Sequence, residues 1–370
     1  MEPSSSEDVP PFGRFFLPGP TEVHPDVLRA QVRAIIGHRG PAIKELMGEL
    51  QAGLKDVFRT TSPVIVSTSS ATGLMEAAVR NGARSRVLSL VNGAFSKRFA
   101  EIATACGFEV ETLEVEWGQT VSAGAVRVRL AEGGFDAVTV VHSETSTGAL
   151  NPLAEISEDV RESDDVVLLV DSVTGVGGVE VQTDEWELDF VLTGSQKALA
   201  LPPGLAFGVA SERLMARSAE APRKGVYFDL ETFAKQLDNL QTPNTPAVSL
   251  FYALAEQLRR IAAEGMVSRW ARHRTMAERC AQWVDSMRDE HGVGLSILAA
   301  EGERSPTVTC VVLPDGVEGP YVVSATKERG FVIGGGYGKL KGTTFRIGHM
   351  GDHTLAELDV VLEALEEVLT

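Results

Sequence analysis

From about residue 60 onward, short runs of Val, Leu and Ile alternate with stretches whose apolar positions recur at helical spacing, the pattern of successive βαβ units. The runs predict strands over Pro63–Ser67, Arg86–Val91, Ala137–Val141, Val166–Val170 and Asp189–Thr193. Their apolar character is continuous rather than alternating, as parallel strands covered by helices on both faces require. Ahead of them, Pro41 opens a helical stretch through Phe58, and proline suits a first helical position because the missing N–H would have no partner there.

After about residue 246 longer amphipathic stretches take over, Ala247–Ala263 and Val267–Asp289. Beyond them the pattern predicts a strand over Thr307–Leu313, a helix over Tyr321–Arg329, a glycine-rich turn at Gly334–Gly338, a strand over Thr344–Gly348 and a final helix to Leu369. The expected architecture is α/β. It comprises an N-terminal arm over residues 1–20, a large domain with a mainly parallel sheet over 21–260, and a smaller C-terminal α+β domain over 261–370. The only low-complexity stretch is the Ser/Pro-rich first dozen residues, expected to form a loose arm.

Charge narrows the partners. The 370 residues carry 34 Lys and Arg against 51 Asp and Glu, a net charge of −17 that repels phosphate backbones and anionic lipid, so neither nucleic acid nor a membrane is expected. Three cysteines, Cys106, Cys280 and Cys310, with no C-x-x-C pair, fit a reducing compartment and no structural zinc. The first residues lack the apolar core of a secretion signal, no run approaches the roughly 18 apolar residues of a membrane helix, and the last three residues are not a peroxisomal address. The expected location is the cytoplasm.

Several ligand motifs fail on their own residues. Gly175 and Gly177 follow a strand, but Glu180 stands at the third fingerprint position and no helical face follows. Gly338–Lys339 is followed by Leu340, so no P-loop hydroxyl is present. His349 and His353 lack the glutamate of a zinc-protease helix and read as ordinary surface histidines, and no metal site is expected.

The informative segment is DFVLTGSQKALALPPGLAF, residues 189–207, where an apolar strand runs straight into Lys197. A lone lysine there commonly caps a strand, its stem on apolar surface and its head in water. Asp171, however, ends the apolar run VVLLVD one strand and one crossover earlier, so both residues can face the crevice at the carboxyl ends of neighbouring strands, where open α/β sheets bind ligands.

These residues stand within a longer series. LPGPTEVHP (17–25), GHRGP (37–41), SSATGLMEAAVRN (69–81), HSETSTGALNPL (142–153), VDSVTGVGG (170–178), TGSQKALALPPG (193–204), TPNTPAVSL (242–250) and FRIGHMG (345–351) follow one another in order. In this series the chain resembles, nearly end to end, the class V pyridoxal-phosphate-dependent aminotransferases, specifically the alanine/serine–glyoxylate branch.

The resemblance implies the pyridoxal-phosphate fold type I and a homodimer with shared active sites. It also implies ping-pong transfer of an amino group from alanine or serine to a 2-oxo acid, above all glyoxylate. Lys197 would hold the cofactor covalently and then serve as general base, and Asp171 would pair with the pyridine nitrogen. Ala71, Thr72 and Gln196, with Asn244 and Thr245 from the partner subunit, would hold the phosphate. Phe95 would stack on the cofactor ring, unless it is simply a core phenylalanine. Ser146 would contact the ring oxygen, with Thr145 and Thr147 close enough to exchange roles. Arg346 would grip the substrate carboxylate rather than form an ordinary salt bridge, and Gly19 would bring backbone against the same substrate.

The chain departs from the family where Ser69, Ser70 and Ala71 replace a glycine-rich turn. Competing expectations are a 2-aminoethylphosphonate-type aminotransferase, a cysteine desulfurase-like lyase and a soluble hydrogenase subunit-like accessory protein.

Overall fold

The continuous apolar runs assemble into one seven-stranded sheet. The computed structural model describes residues 12–163, 165–222 and 224–370. In spatial order the strands are Ile65–Ser67, Ala206–Ala210, Phe190–Gly194, Val167–Asp171, Ala137–Val141, Arg86–Val91 and Glu109–Glu114. Every pairing is parallel except the two made by Ala206–Ala210, so the sheet is mainly parallel, as expected. Its central strands are buried at every position, which is why their sequences carry no alternation.

Two strands escape the pattern of apolar runs. Glu109–Glu114 is an edge strand whose half-exposed, acidic sequence blunts the sheet margin. Ala206–Ala210 carries Gly208 at its centre because an added Cβ would meet the Phe190 ring at 2.9 Å. Helix Pro41–Phe58 has the expected bounds, and the two long C-terminal helices run over Val248–Glu264 and Met266–Asp289.

A second, five-stranded sheet lies in the order Phe15–Phe16, Val332–Gly335, Thr344–Gly348, Val308–Val312 and Ser296–Ile297. It is antiparallel apart from the Phe15–Phe16 pairing. The expected turn at Gly334–Gly338 is only partly a turn, since Gly334 and Gly335 pair with Arg346 and Phe345 before the chain bends. Of the expected arm, residues 1–11 lie outside the described residues, and Phe16 is an integral, fully buried member of the C-terminal core.

Among the described residues two large apolar cores result, with a third small group of Ala198, Val308 and Met350. The larger runs from Val27 to Trp270, and the smaller joins Phe16 to residues between Met276 and Leu365. Helix Met266–Asp289 serves both, with Met266 and Trp270 in the first and Met276, Cys280, Trp283, Val284 and Met287 in the second.

At the helix start, fully buried Arg269 donates to the carbonyls of Gly177 (3.0 Å) and Ala198 (2.8 Å) and pairs with Glu264 and Asp352, both at 2.9 Å. Burial disfavours the Asp352 carboxylate, yet Arg269, Gln257 and Arg260 together hold its pKa below the ordinary value. This cluster ties the loop after Lys197 to the C-terminal segment.

His349 and His353 are not surface histidines. Both are almost wholly buried where the chain leaves Thr344–Gly348 and turns beneath that loop, with Gly351 packed against Ala200. The His349 ring meets the Thr309 hydroxyl at 3.0 Å, and the His353 ring meets the Phe15 carbonyl at 3.1 Å and stacks on Phe16. Burial lowers both pKa values, that of His349 to about 3, so neither is a charged surface group. Among the described residues, no helix is long and apolar enough to cross a membrane.

Candidate active site

The carboxyl ends of the parallel strands open onto a cavity of about 270 Å³. Val141 and Asp171 face each other in register at the ends of their strands, and Phe190–Gly194 continues through Ser195 into Gln196 and Lys197. Gly19, Ala71, Thr72, Phe95, Asp171, Gln196 and Lys197 all line this one cavity, although they come from widely separated parts of the chain. A wider groove of about 710 Å³, walled by Trp186 and Trp270, contains neither Lys197 nor Asp171 and lacks their chemistry.

Lys197 is half-buried at the cavity wall, its amine donating to the Pro18 carbonyl at 2.6 Å and its Nζ lying 6.0 Å from the centroid of the Phe95 ring. Burial first, then the Arg346 and Arg98 charges, outweigh the attraction of Asp171 and push the amine down to about 8. Far more of it is therefore uncharged near neutrality than in a solvated lysine, which is what a nucleophilic amine requires. The opposite wall must be glycine. Gly19 has φ +118°, a backbone conformation that L side chains rarely adopt, and an added Cβ would run into the Lys197 side chain.

Asp171 is the complementary buried group. Burial pushes its carboxyl up to about 7, with Glu144 adding to the rise and the Val173 N–H (2.9 Å to Oδ1), Lys197 and Arg98 opposing it. A cationic group brought into the cavity would draw Asp171 toward its ionised form.

At one end of the cavity helix Ala71–Gly82 begins at Ser70, which makes no side-chain cap. Ser70, Ala71 and Thr72 line the wall there, so first-turn N–H groups and a hydroxyl converge as an anion would need, without the glycine-rich turn. At the other end Phe95 lies in the first turn of helix Ala94–Ala105.

That helix start is held by a residue the motif reading did not single out. Fully buried Glu144 accepts the N–H groups of Phe95 and Ser96 (3.1 and 2.9 Å) and the hydroxyls of Ser96 and Ser146 (3.0 and 2.6 Å). A carboxylate suits the positive helix end and fixes the Phe95 backbone.

Ser146 is thereby withdrawn from the role first given to it. The turn closed by the Gly148 N–H on the Glu144 carbonyl aims the Ser146 hydroxyl at Glu144, and it is Thr145, 3.1 Å from the Thr174 hydroxyl, that lines the cavity.

Arg346 sits on the central strand of the small sheet, with Nε on the Gly335 carbonyl (2.8 Å) and Nη1 on the Thr145 carbonyl (3.0 Å). It does not form the cavity wall. Tyr337 does, with its ring centroid 5.5 Å from the Arg346 guanidinium carbon and its hydroxyl 3.0 Å from Arg98 Nη2. Arg98 and Tyr337 were not foreseen from the motifs. Asn244 and Thr245 are exposed in a separate depression with Thr68 and Tyr227, away from the Lys197 cavity of their own chain.

Burial of the amine carries a pH signature. Because the folded pKa of Lys197 lies below its unfolded value of 10.5, the unfolded chain binds more protons between about pH 8 and 10.5, and wild-type stability gains across that window. Lys197→Met should therefore be more stable than wild type at pH 6.5, by on the order of 1 to 3 kcal/mol. That advantage should shrink as pH rises from 8 toward 10. Urea denaturation of both proteins across this range reads the difference, and a pH-independent difference would contradict a depressed pKa.

The chain matches the model of the family described as aminotransferase class-V over residues 26–339. Among solved structures it is similar to the alanine–glyoxylate aminotransferase of Nostoc sp., with a TM-score of 0.91 and 34% identity, covering 99% of this chain and 98% of the other. It is 38% identical to an uncharacterised aminotransferase of Methanocaldococcus jannaschii, over 95% of this chain and 92% of that protein. It is 35% identical, with the same coverage, to a protein of a Synechococcus strain named as the small subunit of a soluble hydrogenase. With fold, sequence and family model in agreement, this chain belongs to the class-V aminotransferases.

Proposed function

We propose that the chain binds pyridoxal 5'-phosphate in the Lys197 cavity and transfers the amino group of a small amino acid, alanine or serine, to glyoxylate. The observation that carries this reading is the Lys197 amine facing Asp171 and Phe95 across a cavity that ends on the start of helix Ala71–Gly82. The donor set fits the cofactor: a depressed amine, a buried carboxylate with one hydrogen bond, an aromatic wall, and a helix start with Thr72. The name of the Nostoc relative supports glyoxylate as acceptor.

When bound, the cofactor supplies an electron sink that makes a substrate Cα–H acidic. The chain's own residues do the rest. Lys197 Nζ, uncharged in part near neutrality, can accept the proton released at that carbon and return it elsewhere. Asp171 presents a carboxylate to the ring nitrogen, Phe95 offers a flat apolar wall, and Ser70, Ala71, Thr72 and Gln196 take the phosphate. Thr145 replaces Ser146 as the hydroxyl beside the ring. Arg346, whose Nη2 makes no hydrogen bond among the described residues, can hold the α-carboxylate once Tyr337 moves from its face.

A desulfurase-like reading would want a reactive thiol at the cavity. All three cysteines are buried and free, none lines it, and burial pushes Cys310 up to about 11. Those buried, unpaired thiols also support a reducing, cytoplasmic setting.

Asn244 and Thr245 complete the phosphate site of a second copy in this reading. They share a depression with Tyr227, and exposed Val226, Val32 and Ile35 belong to the segments beside it. Arg39 ties the second of these segments to the Thr242 and Pro243 carbonyls. Apolar side chains left in solvent at such a place suit a homodimer.

Purified chain supplied with pyridoxal phosphate should convert alanine or serine plus glyoxylate to glycine and the matching 2-oxo acid, followed by mass spectrometry. Lys197→Ala should reduce turnover by at least about a thousandfold, as loss of a nucleophile and base does. Normal turnover by Lys197→Ala, or none by wild type with any amino acid, would contradict the reading. For the dimer, mixing inactive Lys197→Ala chains with inactive chains altered at both Asn244 and Thr245 should restore part of the activity. No recovery, once subunit exchange is demonstrated, would count against a shared site.

A further inference from the structure

A donor that brings its carboxylate to Arg346 and its amine to Lys197 must place its side chain in whatever space the cavity leaves beside them. That space is small. The cavity measures about 270 Å³ and has to hold the cofactor as well. Phe95 forms one part of its wall, and next to it stands the half-buried ring of Tyr337, 5.4 Å from Phe95 between centroids and 5.5 Å from the Arg346 guanidinium carbon.

The turn that carries Tyr337 is fastened on both sides. Toward its own sheet, the Gly335 carbonyl accepts Arg346 Nε (2.8 Å) and the Gly336 N–H donates to the Thr344 carbonyl (3.0 Å). The Leu340 N–H then closes the turn on the Tyr337 carbonyl at 3.0 Å. Its tip reaches the edge of the seven-stranded sheet, where Trp117 follows strand Glu109–Glu114. Gly338 packs so closely on Trp117 that an added Cβ would come within 3.0 Å, and Lys339 Nζ lies 4.9 Å from that ring's centroid. The Tyr337 hydroxyl adds a hydrogen bond with Arg98 Nη2 at 3.0 Å.

We infer that Tyr337 is the specificity-determining residue of this site, its ring limiting the donor to a methyl or hydroxymethyl side chain and shutting out longer unbranched ones. With its backbone fastened, the ring can tilt off Arg346 as a carboxylate arrives but cannot withdraw from the cavity. Each further methylene of a donor is then forced against a packed aromatic group, which is unfavourable. The inference rests on the transaminase reading and adds to it the residue that sets the size of the donor.

The test uses the chain reconstituted with pyridoxal phosphate, with glyoxylate as acceptor and L-alanine, L-2-aminobutyrate and L-norvaline as donors, a series that lengthens by one methylene at a time. Wild type should lose about tenfold or more in kcat/KM at each step. Tyr337→Ala should raise norvaline relative to alanine by at least about tenfold. Tyr337→Phe keeps the ring and drops the hydrogen bond with Arg98, and it should leave the wild-type ratios in place. Calorimetric titration of the same proteins with propionate and pentanoate reads the limit without turnover. Relative to propionate, pentanoate should gain about tenfold in affinity in Tyr337→Ala and nothing in Tyr337→Phe.

Wild-type use of norvaline as readily as alanine, or an unchanged donor ratio in Tyr337→Ala, would overturn the inference. Lost discrimination in Tyr337→Phe would overturn it too, because the hydrogen bond with Arg98 and not the bulk of the ring would then set the limit. If wild type turns over no amino acid, the transaminase reading fails by itself, and the propionate–pentanoate comparison still decides whether Tyr337 limits the length of a bound chain.

Discussion

The structure is organised around an unlike pair held out of water: a lysine amine and an aspartate carboxyl at the ends of adjacent parallel strands. Burial works against the charge on each, and their mutual attraction only partly restores it, so both titrate near neutrality. Such a pair survives only where the surroundings leave no alternative. Fully buried strands deliver Asp171 and the Lys197 loop to one crevice, and the Pro18 carbonyl gives the amine its hydrogen bond. Gly19 supplies the space.

The second sheet completes the site as much as it forms a core of its own. Phe15–Phe16, at the edge of that sheet, leads into Pro18 and Gly19, so pairing with Val332–Gly335 fixes the residues that meet Lys197. Its central strand carries Arg346, and the following turn packs on Ala200. Arg269 joins the loop after Lys197 to Asp352 through one buried guanidinium. A buried pair of this kind is not a large source of stability, but its geometry permits little else. The cavity is therefore enclosed by two layers whose relative placement is set by polar contacts as well as by apolar packing.

Much of this was legible in the sequence because it rests on local pattern. Unbroken apolar runs mark buried parallel strands, and a strand running into Ser-Gln-Lys marks the loop that carries Lys197. What escaped depends on residues that meet only after folding. Arg98 and Tyr337 hydrogen-bond across 239 positions of sequence, and nothing near either announces the other. Thr145 and Ser146 differ by one place in a turn, and the choice between them is made by Glu144, whose reach to the Phe95 helix spans 48 to 49 positions. His349 and His353 looked superficial because a lone histidine carries no burial signal, and only the return of the chain beneath Ala200 covers them. Asn244 and Thr245 stand outside the cavity of their own chain, where no pattern in the sequence places them.

The central claim is that burial and neighbouring guanidinium charges, acting on Lys197 itself, bring its amine into the neutral range. Nitrogen-15 NMR of that amine in the cofactor-free chain, titrated from pH 6 to 11 and assigned with Lys197→Ala, measures it directly. The account predicts a midpoint of about 8, which falls further in Asp171→Asn, where the attraction that favours the charged amine is gone. A midpoint at the ordinary lysine value of 10.5, unmoved by that substitution, would contradict it.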